Sequence, residues 1–397
     1  MPQGGVLSPT LFNLYMAGIP QPPANISLHT YADDSTVASS GPIIDPICKD
    51  LNRYLAVLCE WFNDRNLFIS PAKSTATVFT TASNEVNYQL PIDIGGERVP
   101  TVRYPKLLGV HFDGLLTFNK HAEEIKKKLD SRNNILKAIT GTDWGKEKET
   151  IINTYKAIGQ PHLNYGCPIW TPSLSKESWK GLQAAQNTAL RIATGSYKMA
   201  NTDHLQAESK MMPVKDHCEM LSKQFLLTTQ LPNHPNKESL DPPTTGRPMK
   251  RTLPLDYGDE IKALLPENFD HDTRKTLLKT IHTNSVRESI NNMGHNKVLN
   301  RPPPPINDSE RTLDRKTRTT LSQLRSGYSN YLNSYKARID PQIQDICPHC
   351  QTHSHTTNHV FNCTRNPTDL TVEDLWKKPT DSARFLGLNN DDNDDTR

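Results

Sequence analysis

The 397-residue sequence contains no uninterrupted apolar run of the roughly 18 residues that a helix needs to cross a bilayer. It also shows no apolar h-region of a secretory leader. No membrane partner is therefore expected, and the chain reads as intracellular, in the nucleus or the cytoplasm, and not secreted. Strong net charge is missing as well: 46 Lys and Arg stand against 43 Asp and Glu, a formal +3. That sum is too weak to name a partner, so the distribution says more. Asp391, Asp392, Asp394 and Asp395 make an acidic end, and basic residues cluster elsewhere. Seven cysteines without a leader do not form a secreted disulfide pattern; they point to a reducing compartment, hence to free thiols or a metal site. Proline is what abounds, with 30 residues. Together with a mean hydropathy of −0.64 it suggests long connecting segments between roughly two or three domains.

The most informative local signal is Tyr31-Ala32-Asp33-Asp34. Apolar alternation at Ile26 and Leu28 breaks there and restarts at Val37, so two adjacent carboxylates ride the turn of a short β-hairpin. Side chains alternate along a strand, and only a tight turn lets consecutive acids reach one divalent cation; hard oxygen ligands of this kind suit Mg2+. Taken alone, an acidic pair in a turn is usually just solvated. Upstream, Pro2-Gln3-Gly4-Gly5-Val6-Leu7-Ser8-Pro9-Thr10-Leu11-Phe12-Asn13 is a glycine turn entering a helix, with Ser8 as N-cap and Pro9 at the first helical position.

In order, spacing and content these two motifs resemble those of reverse transcriptase, and specifically the palm of the enzyme encoded by non-LTR (LINE-type), jockey-like retrotransposons. The resemblance implies an RNA-directed DNA polymerase that copies an RNA template onto a DNA primer from deoxynucleoside triphosphates, primed from nicked target DNA. It implies Asp33 and Asp34 as the Mg2+-proximal acids, Asp33 being the safer direct ligand, with Gln3, Gly4 and Tyr31 at the template and nucleotide. Residues 66–73 are similar to the family motif that ends in a lysine, which makes Lys73 the group that protonates pyrophosphate. Tyr104-Pro105-Lys106-Leu107-Leu108-Gly109-Val110-His111-Phe112-Asp113 looks like the hairpin that grips the primer end, through Leu108 and Gly109. Two-metal transfer needs enough carboxylates to hold two Mg2+ ions about 4 Å apart, and the family's other metal-binding Asp lies before the Pro-Gln-Gly box. The chain is therefore expected to be the C-terminal part of a longer polyprotein, inactive alone, with Met1 an internal methionine. The other reading is a catalytically dead remnant that binds nucleic acid.

Asp45-Pro46 opens an amphipathic helix whose Ile47, Leu51, Leu55, Leu58 and Trp61 or Phe62 recur at helical spacing, the mark of packing on a sheet. Residues 119–195 are helix-rich. Their first helix carries Ala122, Ile125, Leu129, Leu136 and Ile139 on one face, and Lys126, Lys127, Lys128, Arg132 and Lys137 elsewhere. Those cations suit a solvated face or phosphate contacts, and a thumb position behind a palm favours phosphate. Tyr165 and Trp170 read as core. Prolines between 231 and 254 suit a linker, and Arg301-Pro302-Pro303-Pro304-Pro305 a stiff extended spacer, with a small helical unit over 261–291 between them.

Cys347-Pro348-His349-Cys350, then His359 and Cys363, is the second strong signal. Cys-x2-Cys aims two thiolates at one ion, and His-x3-Cys puts the other pair on one face of a helical turn. The set makes a closed Cys3His tetrahedron for structural Zn2+, with His349, His353 and His355 as competing ligands; the family's C-terminal Cys-Cys-His-Cys pattern also selects His359. Ahead of it lie Arg311, Arg315, Lys316, Arg318 and Arg325, then Tyr328, Tyr331 and Tyr335. Basic and aromatic side chains here suit RNA or DNA; a core stripe of leucines and tyrosines with solvated arginines suits the pattern equally. The expected architecture is α+β: a truncated right-hand polymerase palm (1–113), a helical thumb-like region (114–230), a proline-rich connector (231–310), a small C-terminal zinc-binding module (311–388) and an acidic tail (389–397).

Overall fold

The computed structural model describes residues 4–80, 82, 85, 87–237 and 257–388. Gln3 of the Pro-Gln-Gly box, Pro242, Pro243, Pro248 and Pro254 of the expected linker, and the acidic end lie outside the described residues. The chain divides into two compact units, Met1–Lys120 and His121–Arg397.

The first unit mixes helix with short antiparallel ladders. Helix α1 (Ser8–Met16) starts at Ser8 itself, so Leu7 and not Ser8 occupies the N-cap, with no side-chain cap bond. Strands β1 (Ile26–Tyr31) and β2 (Asp34–Ser39) pair from Ile26↔Ser39 to Tyr31↔Asp34. Helix α2 (Ile44–Asn63) covers this hairpin: Tyr54, Leu58 and Phe62 bury against Ile26, Leu28 and Val37. Neighbouring positions of α2, Cys48, Leu51 and Leu55, pack on Leu90, Ile92, Ile94 and Val99. The last group belongs to a ladder of β3 (Asp93–Ile94) with β4 (Glu97–Arg98) and its flanks. A third hairpin, β5 (Lys106–Leu107) with β6 (Val110–His111), closes the unit.

The second unit is helical. It comprises α3 (Asn119–Ile139), α4 (Lys148–Ile158), α5 (Gln160–Asn164), α6 (Cys167–Trp170), α7 (Lys176–Thr194), α8 (Thr202–Ser209) and α9 (Val214–Thr229). Leu129, Leu136, Ile151, Tyr155, Trp170, Leu190 and Leu205 are essentially removed from solvent here. Trp170 is core as expected, with its ring edge-on to His121 at 5.1 Å, whereas Tyr165 is 58% exposed. Helices α10 (Gly258–Leu264) and α11 (His271–Asn291) pack on α9 through Leu226, Leu227, Ile261 and Ile281.

The C-terminal segment is built onto the same unit. A 3-10 turn (Asp308–Thr312) leads to α12 (Arg315–Ser326), capped by the Asp314 carboxylate, which accepts from the Thr317 amide. Then come α13 (Asn333–Ile339), α14 (Thr357–Val360), α15 (Asp374–Lys377) and α16 (Pro379–Phe385). Their core joins Leu321, Leu324, Leu332 and Tyr335 to Val360, Phe361, Leu375 and Trp376. Gly195, left-handed at the end of α7, meets α12 so closely that a Cβ there would run into Thr319. Its carbonyl accepts from Gln323 Nε2 at 2.9 Å.

Candidate functional site

The Asp pair sits on the β1–β2 hairpin, whose connection is the two residues Ala32 and Asp33. Ala32 takes φ of 52°, the left-handed geometry that a two-residue turn demands. Asp33 is thus in the turn and Asp34 opens β2 opposite Tyr31. Both carboxylates and the Tyr31 ring are exposed. Among the described residues no third His, Cys, Asp or Glu joins the pair into a metal-sized cluster. Lys73 ends a 3-10 turn (Pro71–Lys73) and is exposed. Leu108 and Gly109 form the turn of the β5–β6 hairpin with φ of 44° and 86°, a tight connection that presents the Leu108 side chain outward at 42% exposure.

Behind that hairpin stands a residue to which the sequence pattern assigned no role. The buried Asp113 carboxylate accepts from the amides of Leu115 (3.2 Å), Thr117 (3.0 Å) and Phe118 (2.7 Å), and from the Thr117 hydroxyl (3.0 Å). It fixes the loop between β6 and α3. The detectable signal was Asp113-Gly114 with Thr117 four residues on, an Asx-type turn sequence.

On α3 the cations at 126, 127, 128 and 132 are not equivalent. Lys126 pairs with Asp130 at 3.1 Å and Lys127 with Glu123 and Glu124 at 2.9 and 3.2 Å, exposed contacts within the helix. Lys128 and Arg132, one turn apart, have no acid partner among the described residues. They converge with His162 of α5, whose pKa is lowered first by burial and then by these two charges.

The cations of α12 depart furthest from expectation. Arg315 and Arg318 are buried and neither face solvent nor offer themselves to nucleic acid; Lys316 is exposed. The helix lies between the C-terminal core and α7, so its polar face is interior and the guanidiniums need interior partners. Arg315 donates to the carbonyls of Gly141, Ile192 and Ala193. Arg318 pairs with Glu147 and with Glu149, each at 2.6 Å. Arg325, fully buried, donates to Glu208 at 2.8 Å, to Glu310 and to the Leu375 carbonyl. Lys148 bridges the same two acids at 3.1 and 2.8 Å. Burial alone would raise the Glu208 carboxyl; Arg325 and Lys148 overcome it and hold the pKa at about 2. The tyrosines are engaged as well: Tyr335 stacks on Tyr197 at 5.0 Å and Tyr331 tilts against His355 at 5.9 Å. They offer no open stacking platform.

The Cys and His residues do assemble. The ligand atoms of Cys347, Cys350, His359 and Cys363 all lie within 4.8 Å of one another. Cys347 Sγ is 3.8 Å from Cys363 Sγ, and Cys350 Sγ is 3.3 Å from His359 Nε2. A tetrahedral ion with Zn–S near 2.3 Å and Zn–N near 2.0 Å spaces its ligands roughly 3.5–3.8 Å apart, so the cluster has the dimensions of such a site. The knuckle is set by the Cys347 amide donating to the His353 carbonyl and the Gln351 amide to the Cys347 carbonyl, with Gln351 left-handed at φ of 56°. Thr356 caps α14 by accepting from the His359 amide. The Cys350 thiol is pulled down to about 4, chiefly by the Thr352 hydroxyl and amide, which favours the thiolate that a metal needs. His355 is buried elsewhere, its Nδ1 accepting from the Asn333 amide at 3.1 Å. His353 stays at the rim, stacked on His359 at 5.1 Å with Nδ1 3.9 Å from Cys350 Sγ.

The profile of the family described as "Reverse transcriptase (RNA-dependent DNA polymerase)" matches residues 1–112. That stretch holds the Pro-Gln-Gly box and both candidate hairpins. Among curated proteins, the "Probable RNA-directed DNA polymerase from transposon X-element" of Drosophila melanogaster is 28% identical over 268 residues, covering 64% of this chain and 28% of its own length. The "RNA-directed DNA polymerase from mobile element jockey" of Drosophila funebris is 26% identical over 249 residues, covering 59% and 26%. The chain is related to the jockey-like reverse transcriptases of non-LTR retrotransposons. The similarity to the X-element enzyme, at 268 residues, extends well beyond the 112 residues of the family profile, so the helical unit shares the relationship at least in part. The chain spans about a quarter of the length of these two relatives. No solved structure matches it. Among the described residues no helix is long and apolar enough to cross a membrane.

Proposed function

We propose that the chain is a segment of an RNA-directed DNA polymerase that copies retrotransposon RNA into DNA from a target-DNA primer. The observation that carries this is the Tyr31-Ala32-Asp33-Asp34 hairpin, with two exposed adjacent carboxylates at its turn, inside the stretch that matches the reverse transcriptase family. In this reading the first unit is palm and the helices after it serve as thumb. Asp33 and Asp34 would hold Mg2+, Lys73 donates a proton to pyrophosphate, Gln3, Gly4 and Tyr31 border template and nucleotide, and Leu108 and Gly109 contact the primer end. Bound Mg2+ would supply Lewis acidity for the nucleotidyl transfer. Lys128 and Arg132, free of acids on their own helix, are better phosphate contacts than Lys126 and Lys127, which are paired.

The cysteine-rich cluster is assigned to structural Zn2+, held by Cys347, Cys350, His359 and Cys363, because its spacing fits a closed tetrahedron. A second reading, binding without catalysis, is favoured by the count of two acids at the hairpin, too few to hold two ions unaided. The test is Mn2+-dependent photolabelling by a photoreactive deoxynucleoside triphosphate, followed by primer extension on RNA. Labelling that falls away in Asp33→Ala supports the polymerase site, and equal labelling of wild type and variant refutes it. Extension is expected to be absent from the 397-residue chain alone; extension abolished by Asp33→Ala would refute the two-metal argument.

A further inference from the structure

Beside the cysteine cluster, two cations from distant parts of the chain meet on one aromatic ring. Lys297 Nζ stands 3.8 Å from the centroid of Tyr328, and the Arg338 guanidinium carbon 5.8 Å from it, both within reach of the ring quadrupole. The lysine stem is packed, because it crosses Gly327: a Cβ there would lie 3.6 and 3.9 Å from its Cδ and Cε and 3.3 Å from Val298 Cγ2. Gly327 is left-handed, φ 73°, as the C-cap of α12, so the crossing depends on a residue that local geometry already requires to be glycine.

Neither cation has an acid partner among the described residues. Their neighbours do: Arg301 is paired with Glu373 and Arg311 with Asp308. Asp340, the acid nearest Arg338 in sequence, accepts instead from the Gln342 amide at 2.9 Å. Two like charges on one ring without a counter-charge repel each other, and an anion shared by both relieves that cost. Both supporting segments are tied to the segment that carries the cysteine cluster. Asn358, next to His359, donates to the Val298 carbonyl at 3.1 Å. Asn333 Nδ2 donates to the Ile346 carbonyl at 2.8 Å, and the Ser334 hydroxyl to that of His355 at 2.8 Å.

We propose that Lys297 and Arg338, held on the Tyr328 ring, form a phosphate clamp for the backbone of a single-stranded nucleic acid beside the cysteine cluster. The clamp rests on reading the chain as part of a nucleic-acid enzyme, but it uses residues outside both the polymerase hairpins and α3. Because two cations already lie over its ring, Tyr328 orients charge and does not stack on bases. Binding is therefore tolerant of base sequence.

The experiment measures affinity of the full chain for fluorescein-labelled oligouridylate and oligothymidylate across a salt series. Single strands lose about 0.7 in the slope of log K against log salt for each phosphate contact removed. Lys297→Gln with Arg338→Gln is expected to flatten the slope by about 1.4 and to weaken binding on the order of tenfold near 0.1 M salt, on both oligomers alike. Lys297→Arg with Arg338→Lys is expected to keep the slope. Thermal midpoint and bound metal, unchanged in both pairs, exclude a folding defect. An unchanged slope in the Gln pair overturns the clamp, and so does a loss confined to one oligomer. Lys128→Gln with Arg132→Gln, run in parallel, separates the two proposals: a flattened slope there with none at Lys297 and Arg338 removes the clamp and leaves the polymerase reading intact. No binding by the wild-type chain also removes the clamp, while photolabelling at Asp33 judges the polymerase reading separately.

Discussion

Replacing Arg325 by Met puts the ion network of the helical unit to a quantitative test. The arginine is 0% exposed, and Glu208 and Glu310, the acids it serves, are almost as deeply buried. In the variant those two carboxylates keep Lys148 and the longer 3.8 Å contact of Glu310 with Arg318, which already serves Glu147 and Glu149, so the interior is left short of one positive charge, and the Leu375 carbonyl loses its donor. Removing one partner of a buried pair typically costs about 3–5 kcal/mol, against a total domain stability of about 5–15 kcal/mol. At about 2–4 °C per kcal/mol for a unit of this size, the transition of residues 121–397 should fall by roughly 6–20 °C. Thermal unfolding of the full chain followed by circular dichroism measures it. Arg311→Ala serves as the comparison, since Arg311 pairs with Asp308 at an exposed site worth about 0–1 kcal/mol. Adding Lys148→Met, Glu208→Gln and Glu310→Gln to Arg325→Met should recover much of the loss, because the stranded charge disappears with its partners. A fall of less than about 2 °C for Arg325→Met would show that water reaches the network and that the burial argument is wrong.

Chelation of the full chain should lower the same transition, and Cys350→Ser or His359→Ala should each abolish metal binding, read from the tetrahedral absorption of the Co2+ form. His353→Ala should retain the metal; His355→Ala should retain it too but lower stability, because the Asn333 amide loses its acceptor. Loss of metal in His353→Ala with retention in His359→Ala would reassign the ligand. Acid should destabilise the helical unit in two stages. Burial lowers His204 to about 4, below its unfolded value near 6.5, so the neutral form stabilises fully above pH about 6.5 and up to about 3 kcal/mol is lost toward pH 4. Glu208, held at about 2, contributes above its unfolded value near 4.3 and is lost as pH falls toward 2. His217, also lowered to about 4, acts in the upper window, so His204→Gln with His217→Gln should flatten stability between about pH 6.5 and 5; an unaltered profile in urea titrations refutes the assignment. Asp113→Ala should cost the first unit about 2–3 kcal/mol by orphaning its donors, and hydrogen exchange at Phe118 should rise accordingly.

How much was legible depended on the range of the interaction that decides each feature. The β1–β2 hairpin was legible because its alternation and its turn are local. The Cys347, Cys350, His359 and Cys363 cluster was legible because ligand spacing encodes it directly. The α2 stripe correctly announced a sheet-packing helix. Arg315, Arg318 and Arg325 were misread because helical spacing shows that charges share a face but not whether that face meets water. Their partners, Glu147, Glu149, Glu208 and the carbonyls of Ile192 and Ala193, lie over a hundred residues away. Tyr165, read as core, failed for the same reason: an aromatic near a buried Trp170 reveals nothing about which side of α6 it flanks. Lys297 and Arg338 had no shared periodicity to betray them.

The inward-facing arginines of α12 also decide where this polypeptide can be cut and rejoined. A junction at residue 310 would look natural, since a proline run precedes it and a cysteine-rich segment follows. Yet a 311–388 piece would leave Arg315, Arg318 and Arg325 without the carboxylates and carbonyls of residues 141–208 and without Glu310. Such a fragment carries stranded cations where the intact chain carries ion pairs, so the cysteine-rich segment is not a transferable cassette. Hybrids between related elements that exchange it alone should misfold. Those joined near residue 120, where one compact unit ends and the next begins, keep every one of these pairs within a single parent.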